Sequence, residues 1–354
     1  MVIGKKNMIF VLILIILFPR FGSGQGFNVG ERTLLLTDSA RNRMVKTELW
    51  YPTNDSDSAG KRKTELAFIL DPTIRDAKIY EGKHPLVLLS HGTGGNRFGL
   101  AWLAIALVKK GFIVAAPDHW GNTYDNKIPE YFVRSWERPI DLSFLVSYLL
   151  SQPGFAEFFN ENNIGAAGFS LGGYTVLALA GAEIDYDLLK RNAKTKEGRR
   201  EFTIPEYGVL TKLIEKISFG NPGVAAPVLD DPRIKCFVAI SPALGLGFSN
   251  SGQMEKIKSP VLIIGTGNDQ IAPVATNARY YHELIGNSQY HEIPGKAGHY
   301  IILNVGDKGL QKEAGKYYLD DKTVNREKIH KDLLDMIIPF FSENLLRGGK
   351  NTGK

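Results

Sequence analysis

The chain has one cysteine, Cys236, in 354 residues. That count excludes an intrachain disulfide and a zinc site built on cysteine thiolates. Long apolar runs are also missing. Residues 8–18 form the standout stretch, only 11 residues long, whereas a membrane-spanning helix needs about 20. Basic residues exceed acidic ones, 43 to 37, for a net charge of +6. They are scattered, with no basic stripe interleaved with aromatics, so nucleic acid is not an expected partner. The charge leaves room only for weak association with a membrane surface. There is no internal repeat, no low-complexity tract, and no G-K-[ST] after a glycine-rich loop to cradle a nucleotide.

What remains has the balance of an ordinary globular protein: 44% apolar and 23% charged residues. A core of this size holds without staples, and one α/β unit can account for the length. Residues 1–24 read as a secretory signal. Lys5 and Lys6 precede the apolar run 8–18, and Gly22-Ser23-Gly24 supplies small residues for cleavage before Gln25. The expected destination is the periplasm or the medium. No cysteine lies near that point to carry a lipid.

Residues 45–51 alternate in period two, as a half-exposed strand does. The runs 86–89, 112–116, 237–240 and 261–265 are short and apolar throughout, with 163–168 a weaker fifth. Buried parallel strands have this appearance because helices cover both faces of the sheet. Helical patterns fall between them at 98–110, 139–150, 171–182 and 274–285, and a last helix is expected over 326–346 with Pro339 inside. A β-α alternation of this kind implies a mostly parallel, doubly wound sheet. Residues 183–228 break the rhythm. They are charged and poor in strand signals, and are expected to form a cap insertion in the domain 25–354.

Gly168-Phe169-Ser170-Leu171-Gly172 matches G-x-S-x-G. The motif is weak alone, but here a strand candidate precedes it and a helical run follows at once. This strand–turn–helix context lifts a serine hydroxyl out toward substrate. Ser170 is the candidate nucleophile. After the run 86–89 comes Ser90-His91-Gly92-Thr93-Gly94-Gly95, whose glycines let backbone N–H groups approach a ligand. The N–H groups of Thr93 and Leu171 are the candidate oxyanion hole.

A serine hydroxyl needs a base. Of seven histidines, His299 lies in a glycine-containing loop after the last strand candidate, 289–293, where it can reach the edge that presents Ser170. Asp269 follows the run 261–265 and precedes His299, in the chain order nucleophile, acid, base. It is the candidate that orients the imidazole. Cys236, inside a strand run, is expected to be buried and inert.

With these residues in place the sequence resembles the predicted dienelactone hydrolases and the esterases akin to platelet-activating-factor acetylhydrolase. The matching segments are Ser90 to Arg97, Gly111 to His119, Arg138-Pro139-Ile140-Asp141 and Gly168 to Gly173. The resemblance implies an α/β-hydrolase fold and serine-esterase chemistry on a small-molecule or lipid ester, with no metal or organic cofactor. It departs in two places. Dienelactone hydrolases use a cysteine where this chain has Ser170. In the acetylhydrolase branch the acid ends the preceding strand, and here that position is Ser241, so Asp269 must serve. A peptidase or amidase on the same triad, and a binding protein that keeps the fold without catalysis, remain open. Acyl chain length and oligomeric state are not legible in the residues.

Overall fold

The computed structural model describes residues 26–56, 67–216 and 227–346. The signal-like segment, residues 1–24, lies outside them. Among the described residues no helix is long and apolar enough to cross a membrane.

The chain forms a nine-stranded sheet flanked by helices. Its strands are β1 (Asn28–Asp38), β2 (Arg43–Thr53), β3 (Ile74–Arg75), β4 (His84–Ser90), β5 (Ile113–Pro117), β6 (Phe159–Phe169), β9 (Ile234–Ile240), β10 (Val261–Thr266) and β11 (Ser288–Ile293); β7 (Thr203–Ile204) and β8 (Gly208–Val209) make a separate hairpin. The sheet order is β11-β10-β9-β6-β4-β5-β2-β1-β3. From β5 to β11 all neighbours are parallel, while β2 runs antiparallel to both β5 and β1.

Each apolar run read from the sequence is a strand of this sheet. The central strands carry Leu86, Val87, Leu88, Ile113, Val238 and Ile263 with no measurable exposure, because helices cover both faces. On one face pack α2 (Glu137–Ser151), α3 (Leu171–Ala180) and α7 (Ala278–Leu284); on the other pack α1 (Ala101–Val108) and α10 (Arg326–Leu346), which follows the short helices α8 (Lys308–Glu313) and α9 (Gly315–Tyr318). Cys236 is fully buried in β9, and burial pushes its thiol well above the usual range. Pro339 sits within α10.

Two features differ from the sequence pattern. The sheet begins at Asn28, earlier than the alternation shows, since β1 opens with polar residues and pairs along its whole length with β2. The stretch after α3 is not featureless. It forms α4 (Tyr186–Asn192), α5 (Lys196–Glu201), the β7–β8 hairpin and α6 (Thr211–Ile214). Asp185 caps α4 by accepting from Asp187 and Leu188 N–H, and Thr195 caps α5 through Gly198 N–H. A small third core, with Tyr186, Leu189, Phe202, Leu210 and Ile214, holds these pieces against Phe132 and Trp136.

Candidate active site

Parallel strands present their carboxyl ends at one edge, and the loops there carry the site. Ser170 follows β6 and opens α3 with φ +57° and ψ −119°, a conformation that costs an L-residue on the order of 1–3 kcal/mol. The surroundings hold it in place. Ser170 N–H donates to Ile240 O at 2.9 Å, and Ala243 N–H donates to Ser170 O at 3.1 Å. The motif glycines are steric necessities. A Cβ at Gly168 would overlap the Gly172 carbonyl, and one at Gly172 would overlap the carbonyl of Ser90.

The structure brings the three candidate side chains together. His299 Nε2 lies 2.9 Å from Ser170 Oγ, and its Nδ1 lies 2.6 Å from Asp269 Oδ2. Asp269 hangs from the loop after β10. Its Oδ1 accepts Ile271 N–H at 2.9 Å and Ala272 N–H at 2.7 Å, and Oδ2 accepts the Thr266 hydroxyl at 3.1 Å. These bonds aim Oδ2 at the imidazole. With Nδ1–H donating to Asp269, Nε2 is left as the acceptor for the Ser170 hydroxyl. Ser170, Asp269 and His299 are all buried, at 6%, 4% and 4% exposure, so water competes little for these bonds.

Thr93 and Leu171 line the same cavity as Ser170. Leu171 is the first residue of α3, where N–H groups have no intrahelical acceptor and the helix end is positive. The Thr93 loop is pinned by Gly94 N–H, which donates to Asn122 Oδ1 at 2.8 Å.

Behind that loop lies an arrangement the sequence did not announce. His119 Nδ1–H donates to Asp141 Oδ2 at 2.9 Å, and the Ser90 hydroxyl donates to His119 Nε2 at 2.9 Å. Asp141 also takes a 2.7 Å bond from Arg43. This second serine–histidine–aspartate array is sealed, with Ser90 and His119 at 0% exposure and Asp141 at 1%. Burial, with Arg138 and Arg43 nearby, keeps His119 far below its ordinary pKa. It buttresses the loop and cannot meet substrate. The segment Arg138-Pro139-Ile140-Asp141 was visible in the sequence, but not what its charges face.

The cavity at Ser170 encloses about 50 Å³. Residues from the segment after α3 form much of its wall, among them Leu189, Phe202, Ile204, Leu210 and Ile214. Glu201 is the acid in that wall. It accepts from Thr276 Oγ1 at 2.6 Å and Asn277 Nδ2 at 3.0 Å, and burial raises its pKa. Among the described residues no cluster of histidine, cysteine or acidic side chains could hold a metal ion.

Comparison with known proteins agrees with this architecture. Residues 64–126 match the family model of platelet-activating factor acetylhydrolase, isoform II. That span contains β4, the Thr93 loop and β5, and it stops before Ser170. Among solved structures, a ferulic acid esterase from Streptomyces cinnamoneus superposes with a TM-score of 0.58 at 20% identity, over 91% of either chain. The chain has an α/β-hydrolase fold. No curated protein matches its sequence. The acetylhydrolase resemblance read from the motifs thus reappears in the segment around the Thr93 loop.

Proposed function

We propose that the protein is a serine hydrolase that cleaves carboxylic esters by two-step acyl transfer. The observation that carries this is the continuous path Asp269–His299–Ser170, with separations of 2.6 and 2.9 Å, ending in the cavity that Thr93 and Leu171 also line. His299 takes the Ser170 proton as Oγ attacks the ester carbonyl. The two N–H groups receive the oxyanion, each worth ~3 kcal/mol to the transition state. Imidazolium then gives its proton to the leaving alkoxide. Water, activated by the same imidazole, releases the acid and restores Ser170.

The small cavity and its apolar wall favour short acyl groups, in keeping with a matched family named for an acetyl ester. An intact set of nucleophile, base and acid supports catalysis over mere binding. The apolar run and small residues before Gln25 support export; a mature N-terminus at Gln25 in a culture or periplasmic fraction tests that. The catalytic assignment is tested with p-nitrophenyl acetate. Ser170→Ala should abolish hydrolysis in a folded protein, and retained turnover would refute it. A parallel panel of p-nitroanilides distinguishes an amidase.

A further inference from the structure

The Gly92–Thr93 peptide has its two ends in different surroundings. Thr93 lines the cavity with Ser170. The Gly92 carbonyl is met by three donors. They are His91 Nδ1 at 2.7 Å, Gly95 N–H at 3.2 Å and Arg138 Nη2 at 3.1 Å. His91 Nε2 accepts His119 N–H at 3.2 Å and its Nδ1–H donates to the Gly92 oxygen, so Arg138 Nη2, which also lies 3.0 Å from Nδ1, directs its hydrogen to that same oxygen. Burial and the neighbouring Arg138 keep that ring neutral.

Arg138 is unusual in what it lacks. It is 1% exposed, and among the described residues its Nε and Nη1 have no acceptor. Burying a guanidinium so incompletely satisfied is expensive, and an apolar side chain would fill the space more cheaply. Packing alone therefore does not explain a cation here. Its field falls on the Gly92 oxygen, balanced in part by Asp141 one turn along α2.

A trans peptide is planar, so its C=O and N–H point in opposite directions. Anchoring one end aims the other. Charge at the oxygen also draws density from nitrogen and makes the N–H a stronger donor. The need for an anchor is local: glycines flank Thr93 at 92, 94 and 95, and Gly94 has φ +63°, so this loop resists peptide rotation poorly by itself.

We propose that Arg138 is a positioning residue that, through the Gly92 carbonyl, orients and polarises the Thr93 N–H receiving the oxyanion. This rests on the assignment of Ser170 as nucleophile and Thr93 as oxyanion donor. The experiment compares Arg138→Met, Arg138→Lys and Ser170→Ala with the unmodified chain. It measures kcat and KM for p-nitrophenyl acetate, affinity for an alkyl trifluoromethyl ketone, and thermal unfolding. The ketone's adduct with serine places an oxyanion in the hole, whereas the ground-state ester does not. Arg138→Met should lower kcat about 10–100-fold with KM within about threefold, and weaken ketone binding by a similar factor. Arg138→Lys, which keeps a cation without the fork, should fall between.

A folded Arg138→Met with unchanged kcat and ketone affinity overturns the proposal. So does an Arg138→Met that fails to fold beside an Arg138→Lys of normal kcat, since the residue is then structural. If Arg138→Met fails to fold and Arg138→Lys has reduced kcat at unchanged KM, the proposal stands. Activity surviving in Ser170→Ala would instead sink the underlying assignment, whatever the Arg138 variants do.

Discussion

Tyr300, the residue after His299, donates its hydroxyl to Glu206 Oε1 at 2.6 Å. Glu206 sits in the β7–β8 turn, so the segment after α3 is tied to the loop that carries the candidate base. The same residue leans on the oxyanion side: a Cβ at Gly94 would come within 2.9 Å of Glu206 Cβ. Contacts of Arg200 with Gln270 and of Lys316 with the Pro205 carbonyl also join this segment to the rest of the fold, beside the Glu201 bonds to Thr276 and Asn277.

Tyr300→Phe removes that tie and takes one donor from a half-buried carboxyl. The loss should cost about 1–3 kcal/mol of local stability. Hydrogen exchange across residues 203–209 should accelerate while α2 and α10 stay protected. Unchanged exchange in the hairpin would show that the bond does not hold it.

Asp269→Asn puts an amide where His299 Nδ1 expects an acceptor. The imidazole would then keep its proton on Nε2 and could not accept from Ser170. We expect kcat for p-nitrophenyl acetate to fall about 10⁴-fold with little change in KM. A loss under tenfold would remove Asp269 from the mechanism.

The wall of the cavity should set acyl length. Leu210 and Phe202 are each 5% exposed and line the space beside Ser170. Shortening either to alanine should shift the hexanoate-to-acetate ratio of kcat/KM upward by about tenfold, at a stability cost of roughly 2–5 kcal/mol. The ratio is the informative readout, because a general loss of stability lowers both rates alike.

Strain at the nucleophile is measurable without activity. Glycine tolerates φ +57° where alanine does not. Ser170→Gly should therefore unfold at higher denaturant than Ser170→Ala, by about 1 kcal/mol. Equal midpoints would mean the turn is relaxed.

His330 carries a pH dependence. Its Nε2–H donates to Ile301 O at 2.9 Å, and its ring stacks on Trp102 with centroids 4.0 Å apart. Burial, foremost, lowers its pKa from 6.5 to about 4. The folded state thus prefers the neutral ring, and the unfolded chain binds the proton first. This stability is complete above pH 6.5 and is lost as pH falls toward 4, by up to about 3 kcal/mol. His91 and His119 are shifted in the same direction and add to the slope. Denaturant melts at pH 7.5 and 4.5 should show His330→Asn losing less between the two than the unmodified chain. Parallel slopes would remove His330 as a contributor.

Much of this molecule is legible residue by residue. Buried parallel strands announce themselves as short apolar runs, and Gly168 and Gly172 mark a turn that nothing bulkier could make. The order Ser170, Asp269, His299 follows from where each lies relative to a strand. These are local signals, set by sterics and by hydrophobic periodicity over a few residues.

Side-chain partnership is different. Ser170 and His299 are 129 residues apart, and the register of the four parallel strands from β6 to β11 decides whether they meet. Position after a strand singles out His299, but no local pattern shows that His119 faces Ser90 in the sealed array. Nor does any pattern place the Arg138 guanidinium on the Gly92 carbonyl. By itself the sequence determined the strands, the turn and the candidate reactive groups, because those depend on neighbours in the chain. Only the tertiary structure decided which groups touch, because direction and burial depend on packing between distant segments.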